Sequence, residues 1–298
     1  METFTAERLA QGFSWTECPR WHAGRFYFSD MYNRRIVSLS ETGEAETIVD
    51  LNDREGLDGA DVITVGTGYL PDGRLLVSSM FEKVVLAVEN GKAEVYADLR
   101  DLAAGPINDM VVTASGRAYV TQLGFDLWKG EAPAPSPIII VEPGGEARIA
   151  AGTEHLMGAN GIAVSEDGST LVTAEAFADK VSAFDIGADG GLANYRLFAQ
   201  LDELPDGLCL DAEGAAWVAF PISGRVTRFA DGGEVLAQVS VPQAEAGSTT
   251  ACGLGGEDRR TLYVACGFEV QDHEKSRQGG QGSIWRARVS VSGGETRP

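Results

Sequence analysis

The fold is decided by residues 159–172, ANGIAVSEDGSTLV. Apolar residues alternate with small or polar ones on both sides of the turn at 165–168, which predicts two antiparallel strands joined by a short turn. Related stretches begin at Ile107 and at Pro205, and in each an Asn or Asp stands at the start of the first strand. One hairpin that recurs along the chain indicates an internal repeat.

The spacing of the hairpins gives the period of this repeat. Asn108 lies 52 residues before Asn160, and Asn160 lies 46 residues before Asp206. Steps of 49, 43, 52 and 46 residues separate the turn glycines Gly24, Gly73, Gly116, Gly168 and Gly214. Third and fourth strand candidates follow most hairpins, and four strands in about 40 to 50 residues are typical of a propeller blade. We therefore predict an all-β protein, a six-bladed β-propeller with four-stranded blades around a central channel.

The six units fill the chain, so we predict one propeller domain over residues 1–298. The last unit has no evident fourth strand after residues 285–289. We predict that the segment from Phe4 to Phe13 supplies this outer strand, because closing the ring in this way leaves no free sheet edge at the seam.

Charge and composition exclude several classes of function. The net charge of -20 argues against nucleic acid or an anionic membrane as a partner. No segment approaches the roughly 18 apolar residues of a membrane span, and residues 1–7 lack the features of a signal peptide. We therefore expect a cytoplasmic protein with free thiols, acting on a small molecule as a monomer or small homo-oligomer.

Four polar residues occupy the same position in different units, namely Glu17, Asn108, Asn160 and Asp206. The innermost strand of each propeller blade starts beside the channel, so these side chains should converge. Carboxylate and amide oxygens suit a hard cation such as Ca²⁺, with Mg²⁺ or Mn²⁺ as alternatives. The competing interpretation is that Asn and Asp only form turns at the strand entry.

The motifs around these positions resemble one family, that of senescence marker protein, gluconolactonase and luciferin-regenerating enzyme. The resemblance rests on four segments in the same order, which are Trp15–Trp21, Gly158–Gly168, Pro205–Gly214 and Thr250–Gly256. They are similar to the family's Glu-Gly-Pro-x-Trp, Ser-Asn-Gly and Pro-Asp-Gly motifs and to its final-blade signature.

The resemblance implies one divalent metal in the channel, held by Glu17, Asn160 and Asp206. Ca²⁺ is the expected ion, with Mg²⁺, Mn²⁺, Zn²⁺ or Fe²⁺ as alternatives. It also implies that Asn108 contacts substrate or completes the metal shell. The activity to which it points is lactone hydrolysis, with relatives that cleave organophosphates.

Three positions depart from the family pattern. Cys18 and Met110 stand where Gly is usual, and Pro106 stands where sugar-lactone members carry an Arg. Without that guanidinium the chain lacks a donor suited to hydroxyls and carboxylates. Apolar residues expected near the mouth would suit a less polar substrate, although blade core is the favoured interpretation for any single one. These residues are Met80, Phe81, Phe125, Trp128, Phe177 and Phe220.

We therefore predict a metal-dependent lactonase in which Asp206 is the general base and Asn108 holds the substrate. A phosphotriesterase-like hydrolase with the same ion is the first alternative. A non-catalytic binding platform with a structural ion is the second. Whether His155, Cys18 or Cys252 takes part in the pocket stays open at this point.

Overall fold

The computed structural model describes residues 1–295 and 297 and has the predicted six-bladed β-propeller fold. Strands of the described residues form six sheets, each of which is a blade, and in blades 1 to 4 all strands are consecutive and antiparallel. The innermost strands of neighbouring blades contact one another around a closed ring. This ring surrounds the channel in which the predicted site residues lie.

The first three blades each contain four strands. Blade 1 comprises β3 (Thr16–His22), β4 (Arg25–Asp30), β5 (Arg35–Leu39) and β6 (Ala45–Asp50). Blade 2 comprises β7 (Thr64–Tyr69), β8 (Leu75–Ser79), β9 (Val84–Glu89) and β10 (Lys92–Asp98). Blade 3 comprises β11 (Ile107–Val112), β12 (Ala118–Gln122), β13 (Ile139–Val141) and β14 (Ala147–Ile149).

The last three blades continue the same order. Blade 4 comprises β15 (Ala159–Val164), β16 (Thr170–Glu175), β17 (Lys180–Ile186) and β18 (Leu192–Gln200). Blade 5 comprises β19 (Leu208–Leu210), β20 (Ala216–Phe220), β21 (Arg225–Phe229) and β22 (Val235–Ser240). Blade 6 begins with β23 (Ser248–Gly255), β24 (Thr261–Gly267) and β25 (Gly282–Arg288). Two short helices, α1 (Gln243–Ala246) and α2 (His273–Gly279), lie in connections of blades 5 and 6.

The N-terminal segment forms two strands where one was predicted. β2 (Glu7–Phe13) pairs antiparallel with β25 and supplies the outer strand of blade 6. β1 (Glu2–Thr5), which contains Phe4, instead pairs parallel with β22 and makes blade 5 five-stranded. The prediction is therefore wrong for Phe4. The first residues run along the outer edge of blade 5 before the chain crosses to blade 6.

The hydrophobic core is divided among the blade interfaces. Alternation along each strand directs one set of side chains toward each neighbouring blade, and buried clusters accordingly fill every interface of the ring. Phe220 is fully buried in the cluster between blades 4 and 5, so of its two interpretations blade core is confirmed and the channel mouth is not. The four cysteines are buried and free, as predicted. Among the described residues, no helix is long and apolar enough to span a membrane.

Candidate metal centre

β-Bulges interrupt the innermost strands at three of the four predicted site positions, Asp206 being the exception. In β15 the pairing shifts between Ala159 and Ile162, and in β11 between Ile107 and Met110. β3 has the same irregularity directly after Glu17. A bulge bends its strand and redirects side chains from the regular alternation. The repeated polar residue of the sequence therefore coincides with a repeated backbone irregularity at the start of the blade.

The glycines that follow Asn160 and Asp206 bring neighbouring blades into contact. A Cβ on Gly161 would lie 2.4 Å from the backbone nitrogen of Leu208, and one on Gly207 would lie 2.4 Å from Ala251 Cβ. This contact lets Gly161 donate a backbone hydrogen bond to the carbonyl of Asp206 at 3.3 Å. The Asn-Gly and Asp-Gly pairs thus fix the spacing between adjacent inner strands, which is more than the turn-forming role that was the competing interpretation.

Glu17 is a buried carboxylate at the start of blade 1, with 8% of its surface exposed. The indole Nε1 of Trp15 and the backbone nitrogen of Cys18 each donate to it at 3.3 Å. Burial raises the pKa of Glu17 well above its ordinary value, and repulsion from Asp206 and then Asp109 adds to this effect. Two long hydrogen bonds do not compensate for the loss of solvation.

Asp206 lies close enough to Glu17 for the two carboxylates to repel each other. Burial raises the pKa of Asp206 to about 7, a hydrogen bond from the Asn160 side chain opposes the shift, and Asp109 adds to it. Asp206 and Asn160 both keep partial exposure. The structure thus brings Glu17, Asn160 and Asp206 together around a point that a ligand can reach.

Asn108 is placed in the bulge of β11 and is 7% exposed. Within the described part of the chain its side-chain amide has no hydrogen-bond partner. Its neighbour Asp109, also in blade 3, repels the carboxylates of Glu17 and Asp206 and thereby raises the pKa of each. Asn108 therefore stands beside the charged cluster with its amide free to bind a ligand.

Arg20 is a site residue that the sequence did not single out. Its Nη2 donates to Asp109 Oδ1 at 2.5 Å and to the carbonyl of Met110 at 2.8 Å. Nε and Nη1 donate to the carbonyls of Thr67 and Pro19. Both charged side chains of this ion pair are almost fully buried. The guanidinium therefore neutralises Asp109 and directs four of its five N–H donors to groups other than Glu17 and Asp206.

The donor set fits a divalent cation. No group of three or more His, Cys, Asp or Glu in the described chain could hold a metal, so a site here must combine the two carboxylates with amides. In the described chain no cationic side chain pairs with Glu17 or Asp206, so the two carry two negative charges when both are ionised. Burial raises the pKa of each, and repulsion between carboxylates adds to the shift. One divalent cation would neutralise both charges and accept amide oxygens as further ligands.

The channel mouth on this side is partly covered by the segment that contains α2. Tyr32 and Trp128 both donate to the carbonyl of Val270 at 2.9 Å. His273 stacks on Tyr32 with 4.2 Å between ring centroids, and Phe81 meets Trp128 edge to face at 5.0 Å. These contacts hold the connection between β24 and β25 of blade 6 against residues of blades 1, 2 and 3.

A cavity of about 540 Å³ opens beside this cover. Its walls include Phe81, Trp128, His273 and Pro106. Pro106 precedes Asn108 by two residues, about 7 Å along an extended chain, so the cavity adjoins the charged cluster. Charged side chains at its rim include Lys83, which donates to the carbonyls of Ala103 and Ala104 at 3.0 and 3.3 Å.

The remaining candidates lie outside this cavity. His155 is exposed and packs edge to face on Tyr195, at the outer strand of blade 4. Cys252 is buried and donates to the carbonyl of Trp217 at 3.2 Å. Cys18 is buried next to Glu17 in a small apolar cluster, and burial raises the pKa of its thiol. The histidine at the cavity is His273, which no sequence motif marks.

In comparison with known proteins, the chain is similar to the members of one family. The family model described as "SMP-30/Gluconolactonase/LRE-like region" matches residues 15–267. Regucalcin from Oryctolagus cuniculus is 35% identical over 133 residues, which are 43% of this chain and 44% of that protein. The aligned part of the chain thus spans less than half the length of this curated relative.

Two solved structures share the fold over nearly the whole chain. Luciferin-regenerating enzyme superposes with a TM-score of 0.79 at 17% identity, covering 97% of both chains. A calcium-binding protein, regucalcin from Agrobacterium tumefaciens, superposes with a TM-score of 0.77 at 19% identity, covering 98% of this chain and 96% of that one. At these identities the superpositions establish the fold alone.

Proposed function

The chain belongs to the SMP-30/gluconolactonase/LRE-like family, and we propose that it is a divalent-metal-dependent hydrolase that opens a lactone ring. The observation that carries the proposal is the pair of carboxylates, Glu17 and Asp206, to which the described residues supply no cationic partner. Ca²⁺ suits a set of carboxylate and amide oxygens best. A structural neighbour described as a calcium-binding protein supports the same ion.

Glu17, Asn160 and Asp206 would hold the ion through their side-chain oxygens, with Asn108 adjacent. When bound, the ion supplies Lewis-acid polarisation of the lactone carbonyl and stabilises negative charge that develops on its oxygen. Arg20 supports this arrangement because it neutralises Asp109, which would otherwise be a third uncompensated carboxylate.

The proton is moved by Asp206. One carboxylate oxygen of Asp206 takes a proton from water while the water oxygen forms a bond to the lactone carbonyl carbon. As the tetrahedral adduct collapses, the bond from that carbon to the ring oxygen breaks and the ring oxygen receives the proton. The product is an open-chain hydroxy acid. Burial raises the pKa of Asp206 to about 7 in the metal-free protein, and a bound cation would lower it, which leaves Asp206 ionised and able to accept a proton at neutral pH.

Asn108 orients the substrate. Its amide lies beside the two carboxylates and has no hydrogen-bond partner in the described chain, so it can donate to the lactone carbonyl or to a ring substituent. A fixed donor at this point contributes by holding the carbonyl carbon within reach of the water.

The adjoining cavity favours a lactone with an apolar substituent. Phe81 and Trp128 present aromatic surface at its wall, and Pro106 offers no donor there. Lys83 directs two of its three protons to backbone carbonyls. We therefore infer an alkyl- or aryl-substituted lactone as substrate rather than a polyhydroxylated sugar lactone.

The experiment that tests the proposal is hydrolysis of a lactone panel by the full chain. The panel contains a sugar lactone, unsubstituted butyrolactone, γ-lactones with longer alkyl chains, and one phosphotriester. Each is assayed after EDTA treatment and again after Ca²⁺ is restored. We expect Ca²⁺-dependent hydrolysis that is fastest for the alkyl lactones. Equal rates with and without metal, or hydrolysis of the phosphotriester alone, contradicts the proposal.

A further inference from the structure

A second recess lies at the opposite end of the inner strands from Glu17 and Asp206. Its lining comes from the last residues of β3, β7, β11 and β23, including His22, Tyr69, Val112 and Leu254. From Glu17 to His22 is five residues, about 17 Å of extended strand. The recess is therefore a separate place in the molecule, at the other mouth of the channel.

Arg297, near the end of the chain, lines this recess. Ser292 accepts a backbone hydrogen bond from Ala212, and Gly293 donates one to the carbonyl of Arg259. Arg297 and Val164 exchange backbone hydrogen bonds at 2.7 and 3.1 Å. This path carries the terminal segment across blades 4, 5 and 6 and brings the side chain of Arg297 to the recess.

The recess is cationic although the whole chain has a net charge of -20. Arg20, Arg259 and Arg297 line it, whereas burial lowers the pKa of His22 beside them, so the arginines supply the positive charge. In the described part of the chain, no carboxylate oxygen lies within 4.0 Å of a side-chain nitrogen of Arg259 or Arg297. Arg20 differs, because it is paired with Asp109. Two guanidinium groups therefore share a small space without a carboxylate partner.

Arg259 has an unsatisfied donor, which indicates a missing ligand more specifically than the positive charge of the recess does. Its Nε is buried and has no hydrogen-bond partner among the described residues. Burial lowers the pKa of Arg259, and Glu295 and Glu166 only partly oppose this from a distance. A buried guanidinium N–H without an acceptor is destabilising, and native proteins rarely leave one so. A hydrogen-bond acceptor that binds from solution would satisfy this N–H and remove the energetic cost.

We propose that this recess binds a small free oxyanion, of the size and charge of sulfate or phosphate, between Arg259 and Arg297. Guanidinium groups donate paired, charge-assisted hydrogen bonds that match tetrahedral oxyanions. The recess measures about 60 Å³, room for about four waters, which fits an inorganic ion and not a nucleotide. The aromatic ring of Tyr69, on which His22 stacks at 3.9 Å, closes one side.

Inorganic sulfate is the probe of choice because it stays a dianion throughout the neutral range. Sulfate is titrated calorimetrically into the full chain as wild type, Arg259→Gln and Arg297→Gln. Arg260→Gln is the matched control, since it removes the same charge from an exposed neighbour that does not line the recess. We expect one sulfate per wild-type chain, affinity about tenfold lower or worse in both recess variants, and a control within about twofold of wild type.

Two further measurements make the result decisive. The ¹H–¹⁵N signal of Arg259 Nε should shift and saturate with the same affinity, which a variant that merely folded poorly would not imitate. Asp206→Asn should bind sulfate like wild type, which separates this recess from the proposed metal centre. Equal affinities in wild type, Arg259→Gln and Arg260→Gln, or a signal that never saturates, overturns the proposal.

Discussion

Arg20 and Asp109 form a buried ion pair, with 2.5 Å between Nη2 and Oδ1, across 89 residues of sequence and between blades 1 and 3. The pair determines the charge of the candidate metal centre. Because Asp109 is neutralised by Arg20, the uncompensated charge there is that of Glu17 and Asp206. Two negative charges match one divalent cation.

Removing Arg20 should destabilise the fold. Arg20→Gln leaves Asp109 buried without its partner beside two other carboxylates, and breaking a buried pair in this way costs about 3 kcal/mol. We expect that loss in chemical unfolding of the metal-free protein. Arg25→Gln is the control, because its ion pair with Glu46 is on the surface and should matter little. Similar small effects of both substitutions would contradict the role given to Arg20.

Stability of the metal-free protein should fall as pH rises toward neutrality. The pKa of Asp206 is raised from 3.8 to about 7 in the folded state, mainly by burial, so the folded protein binds this proton more tightly than the unfolded chain does. The stability that this proton contributes to the folded state is fully present below about pH 4 and is lost as pH rises through about 7. Unfolding of wild type and Asp206→Asn between pH 4.5 and 8 measures it as a difference. A difference that does not change with pH would show that Asp206 is not held in this environment.

Asn108→Ala should impair turnover while leaving the metal bound. If the amide orients substrate, kcat/KM for the best lactone falls about tenfold, the effect of one positioned hydrogen bond. Affinity for Ca²⁺ should change far less than it does in Glu17→Gln. A parallel loss of Ca²⁺ affinity and of kcat/KM would instead make Asn108 a ligand.

Phe81→Ala should change selectivity among lactones. Loss of the aromatic wall should lower kcat/KM about tenfold for a long-chain γ-lactone and much less for butyrolactone, which cannot reach the wall. Tyr195→Ala removes an exposed aromatic ring far from the cavity and serves as control. Equal losses for short and long substrates would mean that the cavity beside Phe81 does not receive the substituent.

The fold could be predicted because its signal is repeated. Each blade needs a turn glycine and alternating strands, and six copies in phase reinforce one another even where one copy is degenerate. The split at the N-terminus could not be predicted in the same way. A strand that pairs in parallel with β22 has no neighbouring turn or repeat partner in the sequence, so Phe4 was assigned with β2.

The candidate site was predictable only where the repeat marked it. Glu17, Asn160 and Asp206 stand at equivalent blade positions, and that equivalence placed them together. Arg20 and His273 occupy no repeated position. Arg20 meets Asp109 through the channel, and His273 arrives on a connection unique to blade 6. Such contacts form only when the ring of blades closes, so the spacing of residues in the sequence does not reveal them.

The most direct test of the proposed metal centre is calorimetric titration of Ca²⁺ into the metal-free full chain at pH 7.5. We expect one site per chain in wild type. Affinity should fall at least about a hundredfold in Glu17→Gln and in Asp206→Asn, because each removes one of two charges that hold the ion. Asp61→Asn, at the rim of the neighbouring cavity, should bind Ca²⁺ like wild type. Retention of wild-type affinity in Glu17→Gln and Asp206→Asn would contradict the claim that these two carboxylates form the metal centre.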